Sequence, residues 1–389
     1  MPVKQIGISK NFLKLLKSIG SQADRESCNS YLVGGLVRDL FLNIRHTEGS
    51  TDLDVSLENI KNLKRFIKKL SKNHKITTLK IYEEFGTASL LLDDNQVDFA
   101  MARSEKYIKP GALPQVSPGS MFEDLKRRDF SINAMAILLN PADFGALYDP
   151  LNGLDDLQKK KVRVLHDKSF QDDPTRIFRA LRFCARFGFT LENNTEKLLL
   201  NALKNKYLKN VSQERVTNEF LLALKEKFTG KCLKMFNKYG ISFIKTNNLA
   251  IIDKCLYNHY NDAPVSGAAD FAAVKLALLL RGLNLDEQKQ WLSRMKISRK
   301  VSQEIISVYR FINGEIMKPA VDWSKNFLKV INVRRARVFI SGRFLMDLGF
   351  KPGPLYKKII TEVNRNKEIK NLRDAKKFIL EKYKNGLIL

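Results

Sequence analysis

Hydrophobic residues in the first third of the chain follow two periods, one typical of helices and one typical of strands. Phe12, Leu15, Leu16 and Ile19 recur at i, i+3, i+4 and i+7, which predicts an amphipathic helix that we expect to end at Gly20. Further along, hydrophobic and polar residues alternate, as they do in half-buried strands. The predicted strands are 31–33, 53–57, 87–92 and 97–100, and further helices are predicted at 37–42 and 63–70.

Beyond Pro150 the strand pattern fades, and helical periodicity continues almost to the end of the chain. Glycine and proline are sparse in this part, and the polar faces of the predicted helices are rich in lysine. The pattern therefore predicts an α+β fold, in which a head with a small mixed sheet is followed by all-helical domains.

Charge adds a preference for polyanionic partners. The chain has 68 Lys and Arg against 41 Asp and Glu, a net charge of +27, and such a field favours nucleic acid over an acidic membrane surface. Residues 355–389 form a basic tail with ten Lys or Arg and four acidic residues. Hydrophobic residues make up 44% of the chain, which excludes wholesale disorder.

Neither a membrane span nor a disulfide framework is expected. The longest apolar stretch, 271–280, is interrupted by Lys275 and is shorter than the roughly 18 residues that a span needs. The cysteines are far apart and form no C-x-x-C pair, which favours a reducing cytoplasm over zinc binding or secretion. They are Cys28, Cys184, Cys232 and Cys255.

The first candidate site combines the sequence GGLVRD with a following DLD. Asp52 and Asp54 lie two apart on a predicted strand and so project from the same face, where paired carboxylates suit Mg²⁺. Gly34 and Gly35, ahead of a predicted helix, would let backbone N–H groups approach a phosphate. Taken separately, the glycine pair also fits an ordinary turn and the acidic pair an ordinary surface feature. Together they resemble the signature of the DNA polymerase β-like nucleotidyltransferase superfamily.

That superfamily carries a third carboxylate on a neighbouring strand. The resemblance assigns this position to Asp98, which has hydrophobic neighbours in the strand predicted at 97–100. It implies that Asp52 and Asp54 bind the metal and that Asp98 is a further catalytic carboxylate. The alternative for Asp98 is a solvent-facing position on an edge strand.

The second candidate site is the sequence RRDFSINAMA at 127–136. It is very similar to a signature of the class II tRNA nucleotidyltransferase and bacterial poly(A) polymerase family. The resemblance implies that Arg128, Asp129 and Asn133 contact the phosphates and ribose of the incoming nucleotide, which suits an arginine fork and polar groups that bond ribose hydroxyls. The alternative is a helix start capped by Asp129 beside a salt-bridged arginine pair.

A third motif, DPLNGLDDL at 149–157, resembles the connector between head and neck in the same family, where it forms a turn or hinge. Weaker resemblances, SQERV at 212–216 and LGFKPGP at 348–354, extend the likeness into the helical part.

The fourth motif, DDPTR at 172–176, opens a helix with separate apolar and basic stripes. The basic stripe predicts contact with a triphosphate or an RNA backbone, and the alternative is a solvated face. It comprises Arg176, Arg179, Arg182 and Arg186. The resemblance implies that Asp173 and Arg176 pair with the Watson–Crick edge of the incoming base, which favours CTP and ATP. Asp173 also fits a helix cap.

Residues 103–120 occupy the flexible-loop region of the family, but they lack the DGRRP stretch common in complete CCA-adding enzymes. In this the chain resembles the branch with split A-adding and CC-adding enzymes. Alternatives are a poly(A) polymerase, which would extend unstructured RNA with ATP alone, and a non-catalytic RNA-binding protein.

The resemblance thus implies a template-independent tRNA nucleotidyltransferase that uses CTP and ATP, requires Mg²⁺ in a two-metal mechanism and binds the acceptor and T arms of tRNA. The residues implied in phosphate binding are Gly34, Gly35, Arg38, Arg128 and Arg179. The implied domains are a catalytic head at 1–140, a neck for base recognition at 141–210, a body at 211–320 and a tRNA-binding tail at 321–389.

Overall fold

The structure is a computed structural model that describes most of the chain in two compact units, Met1–Ser212 and Gln213–Leu389. The described residues are 10–44, 53–106, 111, 114–244, 268–313, 315–316, 319, 321, 340, 342–366, 369 and 372–383. The fold is α+β, with a sheet in the first unit and helices in the second, which confirms the predicted fold class.

The first unit is built on a seven-stranded mixed sheet with the order β3-β4-β5-β2-β1-β8-β9. Strands β2 and β5 are parallel, and every other neighbouring pair is antiparallel. The strands are β1 (Asn29–Val33), β2 (Leu53–Glu58), β3 (Ile76–Tyr82), β4 (Thr87–Leu92), β5 (Asn95–Met101), β8 (Ala136–Leu138) and β9 (Leu147–Tyr148). A separate antiparallel ribbon is formed by β6 (Arg103–Lys106) and β7 (Gln115–Pro118).

The sheet has one apolar face and one polar face because side chains alternate along each strand. Helices α1 (Lys10–Arg25) and α3 (Leu63–Leu70) pack on the apolar face, where the rings of Phe66 and Phe99 meet edge to face at 5.6 Å. On the polar face, α4 (Met121–Lys126) packs against β1 and β8 through a cluster that includes Val33. Strands β2, β5 and β4 are left open beside it, and their polar side chains line a cleft of about 450 Å³.

Gly20 does not end the first helix, contrary to the prediction. Helix α1 continues to Arg25, and Gly20 lies buried in its middle. A Cβ atom at this position would be 1.7 Å from the carbonyl oxygen of Leu139. The glycine therefore marks a close approach of helix and sheet, which a pattern based on helix caps cannot distinguish from a helix end.

The part that follows Pro150 in the first unit is mostly helical but also contains a two-stranded sheet, so the all-helical prediction is wrong in this detail. Strands β10 (Lys161–Val162) and β11 (Thr190–Leu191) pair in parallel. The remaining helices of the first unit are α2 (Gly35–Phe41), α5 (Gly153–Gln158), α6 (Ser169–Asp172), α7 (Arg176–Phe187) and α8 (Asn193–Lys204).

The DPLNGLDDL motif forms a structured turn against the head. The carboxylate of Asp149 accepts hydrogen bonds from the backbone N–H groups of Gly153 and Leu154 at 2.7 and 2.9 Å, which caps the start of α5. The Ser131 hydroxyl donates to the carboxylate of Asp156 at 2.6 Å, and this carboxylate also binds Arg163. The turn is therefore tied to the RRDFSINAMA segment through Ser131.

The second unit is helical in its described part. Its helices are α9 (Gln213–Lys225), α10 (Thr229–Lys238), α11 (Ala268–Leu280), α12 (Leu285–Arg294), α13 (Arg299–Ile312), α14 (Gly342–Asp347), α15 (Pro354–Arg365) and α16 (Leu372–Lys382). Aromatic rings of Phe220, Phe236, Phe243 and Trp291 pack at centroid distances of 4.6–5.7 Å. Across the described part of the chain, none of the helices combines the length and the hydrophobicity of a membrane span.

The cysteines fit the sequence prediction as far as they are described. Cys28, Cys184 and Cys232 are buried free thiols. Burial, with a smaller contribution from the nearby Glu26 carboxylate, raises the pKa of the Cys28 thiol to about 11. Cys255 lies outside the described residues.

Candidate active site

Two carboxylates lie side by side on the floor of the cleft. Asp54 on β2 and Asp98 on β5 are direct partners in the parallel register, so their backbones are about 4.8 Å apart. Asp54 is exposed, and Asp98 is half-buried and accepts a hydrogen bond from the side chain of Gln96 at 3.0 Å. Strand β5 has neighbours on both sides, so the alternative of an edge-strand position for Asp98 is wrong. Asp52 lies outside the described residues.

The donor set on this floor fits a hard divalent cation. Two carboxylates project from adjacent strands of one face, and carboxylate oxygens are the ligands that Mg²⁺ prefers. The hydroxyl of Ser56, two residues after Asp54, is buried in the same cleft and has no hydrogen-bond partner among the described residues. Within the described part of the chain, no three His, Cys, Asp or Glu side chains converge on one point. The further metal ligand that the sequence predicts is Asp52, which lies outside the described residues.

Gly34 fits the end of β1 against the Asp54 carboxylate. Its φ is +80°, which a residue with a side chain rarely adopts, and a Cβ atom there would be 2.7 Å from Oδ2 of Asp54. Gly34 precedes α2, which begins at Gly35. A glycine is thus required here both by the sharp turn and by the nearby Asp54 carboxylate. In the sequence, only the approach of a phosphate to the backbone explained this glycine.

One wall of the cleft is an arginine cluster organised around Asp124. This carboxylate, on α4, accepts hydrogen bonds from Arg127 at 2.7 and 3.0 Å and from Arg128 at 3.1 Å. Arg127 also donates to Glu105 on β6 at 2.8 Å. The Nε atom of Arg128 is buried and has no hydrogen-bond partner within the described residues, which leaves one donor of this fork unused.

Sequence reasoning missed Asp124. The available signal was the i, i+3 and i+4 spacing of Asp124, Arg127 and Arg128, which places an acid beside two bases when the segment is helical. The capping box of Ser120 and Glu123, which starts α4, marks that helix in the sequence as well.

Asp129 is the centre of a network that joins the RRD motif to the neck. Its Oδ2 atom accepts hydrogen bonds from Nε and Nη2 of Arg179 at 2.8 and 2.6 Å. Its Oδ1 atom accepts from the side chain of Asn133 at 3.0 Å and from the backbone N–H of Phe130 at 2.9 Å. Burial alone would raise the pKa of Asp129, but the Arg179 guanidinium and these hydrogen bonds together hold it below its ordinary value. Asp129 is therefore ionised and fixed in orientation.

Arg38 lies behind this network rather than on the open surface of the cleft. It is 4% exposed, and its guanidinium donates to the side-chain oxygen of Asn133 at 2.6 Å and pairs with Asp39. The rings of Phe183 and Phe187 lie 5.3 and 4.7 Å from it, which is within cation–π range. The sequence assigned Arg38 to phosphate, and that role stays a prediction; its visible contacts orient Asn133.

The four arginines of the basic stripe on α7 differ in their exposure to solvent, so they do not form a single solvated face. Arg176 and Arg182 are buried, Arg179 is one-third exposed and Arg186 is exposed. The guanidinium of Arg176 donates to the Ser169 hydroxyl at 2.6 Å and to the backbone carbonyl of Arg127 at 2.8 Å.

Asp173 stabilises the turn before α7, but the N-cap of this helix is Thr175 and not Asp173. Its Oδ1 atom accepts from the backbone N–H and the hydroxyl of Thr175 at 3.0 and 2.6 Å. Asp173 and Arg176 thus stand one turn apart at the start of the helix, and their pairing with a base stays a prediction.

The 103–120 region contains the ribbon β6–β7, which the sequence did not predict. Residues 107–110 and 112–113 lie outside the described residues. Between them, the backbone N–H of Gly111 donates to the carbonyl of Asp172 at 3.1 Å. This region therefore touches the neck directly beside Asp173.

Comparison with known families matches two regions of the chain. Residues 30–163 match the poly(A) polymerase head domain, and residues 188–242 match a probable RNA- and SrmB-binding site of polymerase A. The first match contains the carboxylate pair, the glycine pair and the RRD motif.

Two relatives are A-adding tRNA nucleotidyltransferases. The protein of Halalkalibacterium halodurans is 32% identical over 416 residues, which cover 96% of this chain and 93% of that protein. The protein of Aquifex aeolicus is 44% identical over 212 residues, which cover 54% of this chain and 25% of that protein. The chain thus spans nearly all of one relative and a quarter of the other.

The fold of this chain is also similar to that of a solved structure. A tRNA nucleotidyltransferase in complex with a primer tRNA and an incoming ATP analogue superposes with a TM-score of 0.64 and 29% sequence identity. The superposition covers 90% of this chain and 100% of that structure.

Proposed function

The chain belongs to the class II tRNA nucleotidyltransferase and bacterial poly(A) polymerase family, and from that premise we propose that it transfers AMP from ATP to the 3′ end of tRNA. The observation that carries the proposal is the pair Asp54 and Asp98 on the floor of a cleft whose wall holds Arg128 and the Asp129 network. Both relatives described above carry the A-adding name, and the 103–120 region lacks the DGRRP stretch of complete CCA-adding enzymes.

In the proposed reaction, the 3′ hydroxyl of the RNA attacks the α-phosphate of ATP and pyrophosphate leaves. Asp54 and Asp98, with Asp52 as the further ligand expected from the sequence, would hold Mg²⁺ on the cleft floor. The bound metal would polarise the phosphate and favour ionisation of the attacking hydroxyl. The carboxylates would thereby fix the place at which the hydroxyl and the α-phosphate meet, and phosphoryl transfer depends mainly on such positioning and on electrostatic stabilisation.

The incoming nucleotide would lie on the side of the carboxylates that faces the arginine wall. Arg128 lines the cleft there, and a guanidinium suits phosphate oxygens. Asn133 is held between Arg38 and Asp129, so its amide is oriented for a ribose hydroxyl without a loss of side-chain freedom on binding. The backbone N–H groups at Gly34 and Gly35 would complete the phosphate contacts.

Base choice is proposed for Asp173 and Arg176 at the start of α7. An aspartate accepts from the exocyclic amine of adenine or cytosine, and an arginine donates to ring acceptors, so GTP and UTP mismatch. Arg176 is held by Ser169 and the Arg127 carbonyl through two of its five N–H donors, so base pairing would use the remaining ones. The Gly111 contact places part of the 103–120 region beside Asp173.

The rest of the chain would bind the tRNA by shape and charge. The net charge of +27 favours phosphate contacts without sequence readout. We propose that the body at 211–320 and the tail at 321–389 hold the acceptor and T arms, and that the head ends at 140 and the neck at 210.

The test is a nucleotide-addition assay with three tRNA transcripts, which end before CCA, after C and after CC. Each is incubated with the protein, Mg²⁺ and CTP, ATP or both, and the 3′ ends are sequenced. We expect a single A on the CC-ended transcript and nothing on the others. Completed CCA on all three would contradict A-only addition, and addition of C residues alone would reassign the chain as CC-adding.

Two further outcomes separate the remaining alternatives. Long A tails on unstructured RNA would identify a poly(A) polymerase, and the absence of pyrophosphate release with every RNA would leave a non-catalytic RNA-binding protein. The control is Asp54→Asn, which keeps the size of the side chain and should abolish addition if this carboxylate binds the metal.

A further inference from the structure

We propose that Lys80 and Tyr82, on the polar face of edge strand β3, bind the last nucleotides of the RNA whose 3′ end is extended. This inference rests on the proposed function and adds the subsite for the RNA primer. The Tyr82 ring stacks on the base of the last nucleotide, and the Lys80 ammonium contacts the phosphate beside it.

The strand register places Lys80 in line with the carboxylate pair. Lys80 is opposite Ser89 on β4, Ser89 is opposite Asp98 on β5, and Asp98 is opposite Asp54 on β2. All four side chains therefore project from the same face. Two strand spacings separate Lys80 from Asp98, a backbone distance of about 10 Å.

Tyr82 occupies the neighbouring row of the same face. It is opposite Thr87 on β4, which is opposite Ala100 on β5. A step of two strands and two residues puts it about 12 Å from Asp98, which is the span of one or two nucleotides. Tyr82 lines the cleft together with Asp54 and Asp98.

Tyr82 is half exposed, which is unusual for a large aromatic side chain that lines a cleft. Its exposed fraction is 50%, so its ring has a free face. Phe85, three residues later in the same turn, is 55% exposed but is not among the described residues that line the cleft. An aromatic ring beside a basic group is the arrangement by which proteins bind single-stranded nucleic acid without reading its sequence.

The chemistry of the transfer indicates which substrate lies on the β3 side of the carboxylate pair. The attacking and leaving oxygens are in line on opposite sides of the α-phosphate. The arginine wall and the backbone of Gly34 lie on the β1 side of the carboxylate pair and suit the triphosphate, whereas β4 and β3 lie on the other side. The RNA 3′ end must therefore approach over β4 and β3.

Charge supports the same occupant. The carboxylate pair repels an RNA backbone, and Lys80 is an exposed cation in the same row, placed two strands beyond it.

The test combines enzyme variants with two primers, a CC-ended tRNA and the same tRNA with an abasic last nucleotide. KM for each primer and KM for ATP are measured for the wild type, Tyr82→Ala, Tyr82→Phe and the matched control Phe85→Ala. Loss of base stacking should raise KM of Tyr82→Ala for the intact primer about 10-fold or more. The abasic primer should show no such difference, and KM for ATP should not change.

Tyr82→Phe, which keeps the ring, and Phe85→Ala should both behave as the wild type. Lys80→Ala should raise KM for both primers equally and lower the salt dependence of RNA binding by about 0.7 in the log–log slope. Thermal unfolding of each variant shows whether the fold is kept.

The outcomes separate the subsite from the proposed function. If the wild type adds nucleotides but Tyr82→Ala matches Phe85→Ala, or loses equally on both primers, the subsite is overturned and the proposed function stands. If the wild type adds no nucleotide to any RNA, the proposed function falls and the subsite falls with it.

Discussion

At the scale of single residues, the site depends on charged groups that are held by one another. Asp129 accepts four hydrogen bonds, and Asn133 connects it to the buried Arg38. Each of these groups would be costly to bury without its partners. The geometry of the nucleotide side is therefore set before substrate binds.

Replacement of Asp129 by Asn should lower stability and change its pH dependence. The pKa of Asp129 is held below the ordinary value of about 4, so this carboxylate stabilises the fold fully above that pH and the contribution is lost as the pH falls through the folded pKa. Without the charge, we expect a loss of about 2 kcal/mol at pH 7 and a shallower decline between about pH 5 and 3. Urea unfolding at several pH values measures both effects.

The control for this prediction is Asp155→Asn. Asp155 is exposed and pairs with Lys159 on the surface, so its replacement should change stability by less than about 0.5 kcal/mol. Parallel pH profiles for Asp129→Asn and the wild type would contradict the role given to the charge.

Replacement of Gly34 by Ala should abolish most of the activity while the fold persists. The added Cβ atom would meet the Asp54 carboxylate at 2.7 Å, in a backbone conformation that favours glycine. Displacement of a catalytic group by about 1 Å can lower kcat about 100-fold. The matched control is Gly188→Ala, since Gly188 has a φ of +69° but no atom within 4 Å of the added Cβ.

Gly188→Ala should lose about 1 kcal/mol in denaturant unfolding, because Gly188 is in the left-handed helical region. Gly34→Ala should lose more, because a φ of 80° with a ψ of −150° is adopted almost only by glycine. Only Gly34→Ala should lose turnover in the addition assay. Equal kcat values for the two variants would show that the carboxylate tolerates the methyl group.

Sequence alone placed the residues that follow a local rule. Alternation placed Asp52 and Asp54 on one face of a predicted strand, and the family resemblance assigned Asp98 to a neighbouring strand. The register shows that Asp54 and Asp98 are direct neighbours. It could not place Arg38 and Arg176, because their burial depends on partners distant in the chain, such as Asn133 and the Arg127 carbonyl. By hydrophobic periodicity, Arg38 and Arg176 count as polar residues and are therefore predicted to be exposed.

At the scale of elements, the predictions were correct where burial of one face gives the segment a clear hydrophobic period. The strands at 87–92 and 97–100 and the helix at 63–70 are confirmed as β4, β5 and α3. Strand β3 was missed because it lies at the edge of the sheet and most of its residues are exposed, so it shows no buried period. An edge strand of this kind is defined by its partner and not by its own pattern.

Lys275 illustrates the same limit inside a helix. In the sequence it interrupts an apolar stretch, and in the structure it is completely buried in α11. Its ammonium donates to the carbonyl of Glu226 at 2.6 Å and to the hydroxyl of Thr229 at 2.9 Å, at the C-terminal end of α9. A cation is favourable at that end of a helix.

Lys275→Ala should therefore destabilise the protein by about 3 kcal/mol, because it leaves a cavity and removes a hydrogen bond to a buried carbonyl. Lys275→Met, which keeps the length of the side chain, should lose less. The control is Lys289→Ala on α12, an exposed lysine whose loss should stay within about 0.5 kcal/mol. Denaturant unfolding measures all three, and equal values for Lys275→Ala and Lys289→Ala would contradict a structural role for the buried ammonium.

At the scale of the whole molecule, the excess of basic residues is distributed over surfaces with different expected roles. Lys357 on α15 and Lys376 on α16 are exposed in the basic C-terminal tail. Lys10 and Lys14 are exposed on α1, which covers the face of the sheet opposite the cleft. Net charge alone does not distinguish these lysines. The first pair lies in the tail proposed to bind tRNA, whereas the second lies away from the cleft proposed to hold the 3′ end, so we expect phosphate contacts at the first pair only.

The salt dependence of tRNA binding should therefore separate the two pairs. Each phosphate contact that is lost lowers the slope of log K against log salt by about 0.9, so Lys357→Gln with Lys376→Gln should lower it by about 2. Lys10→Gln with Lys14→Gln removes the same charge and should leave the slope unchanged, and kcat should be unchanged in both double variants. Binding is measured with tRNA at several KCl concentrations. Equal slopes for the two double variants would mean that the lysines act through the general field of the protein, and the proposed contact between tRNA and the tail would then be wrong.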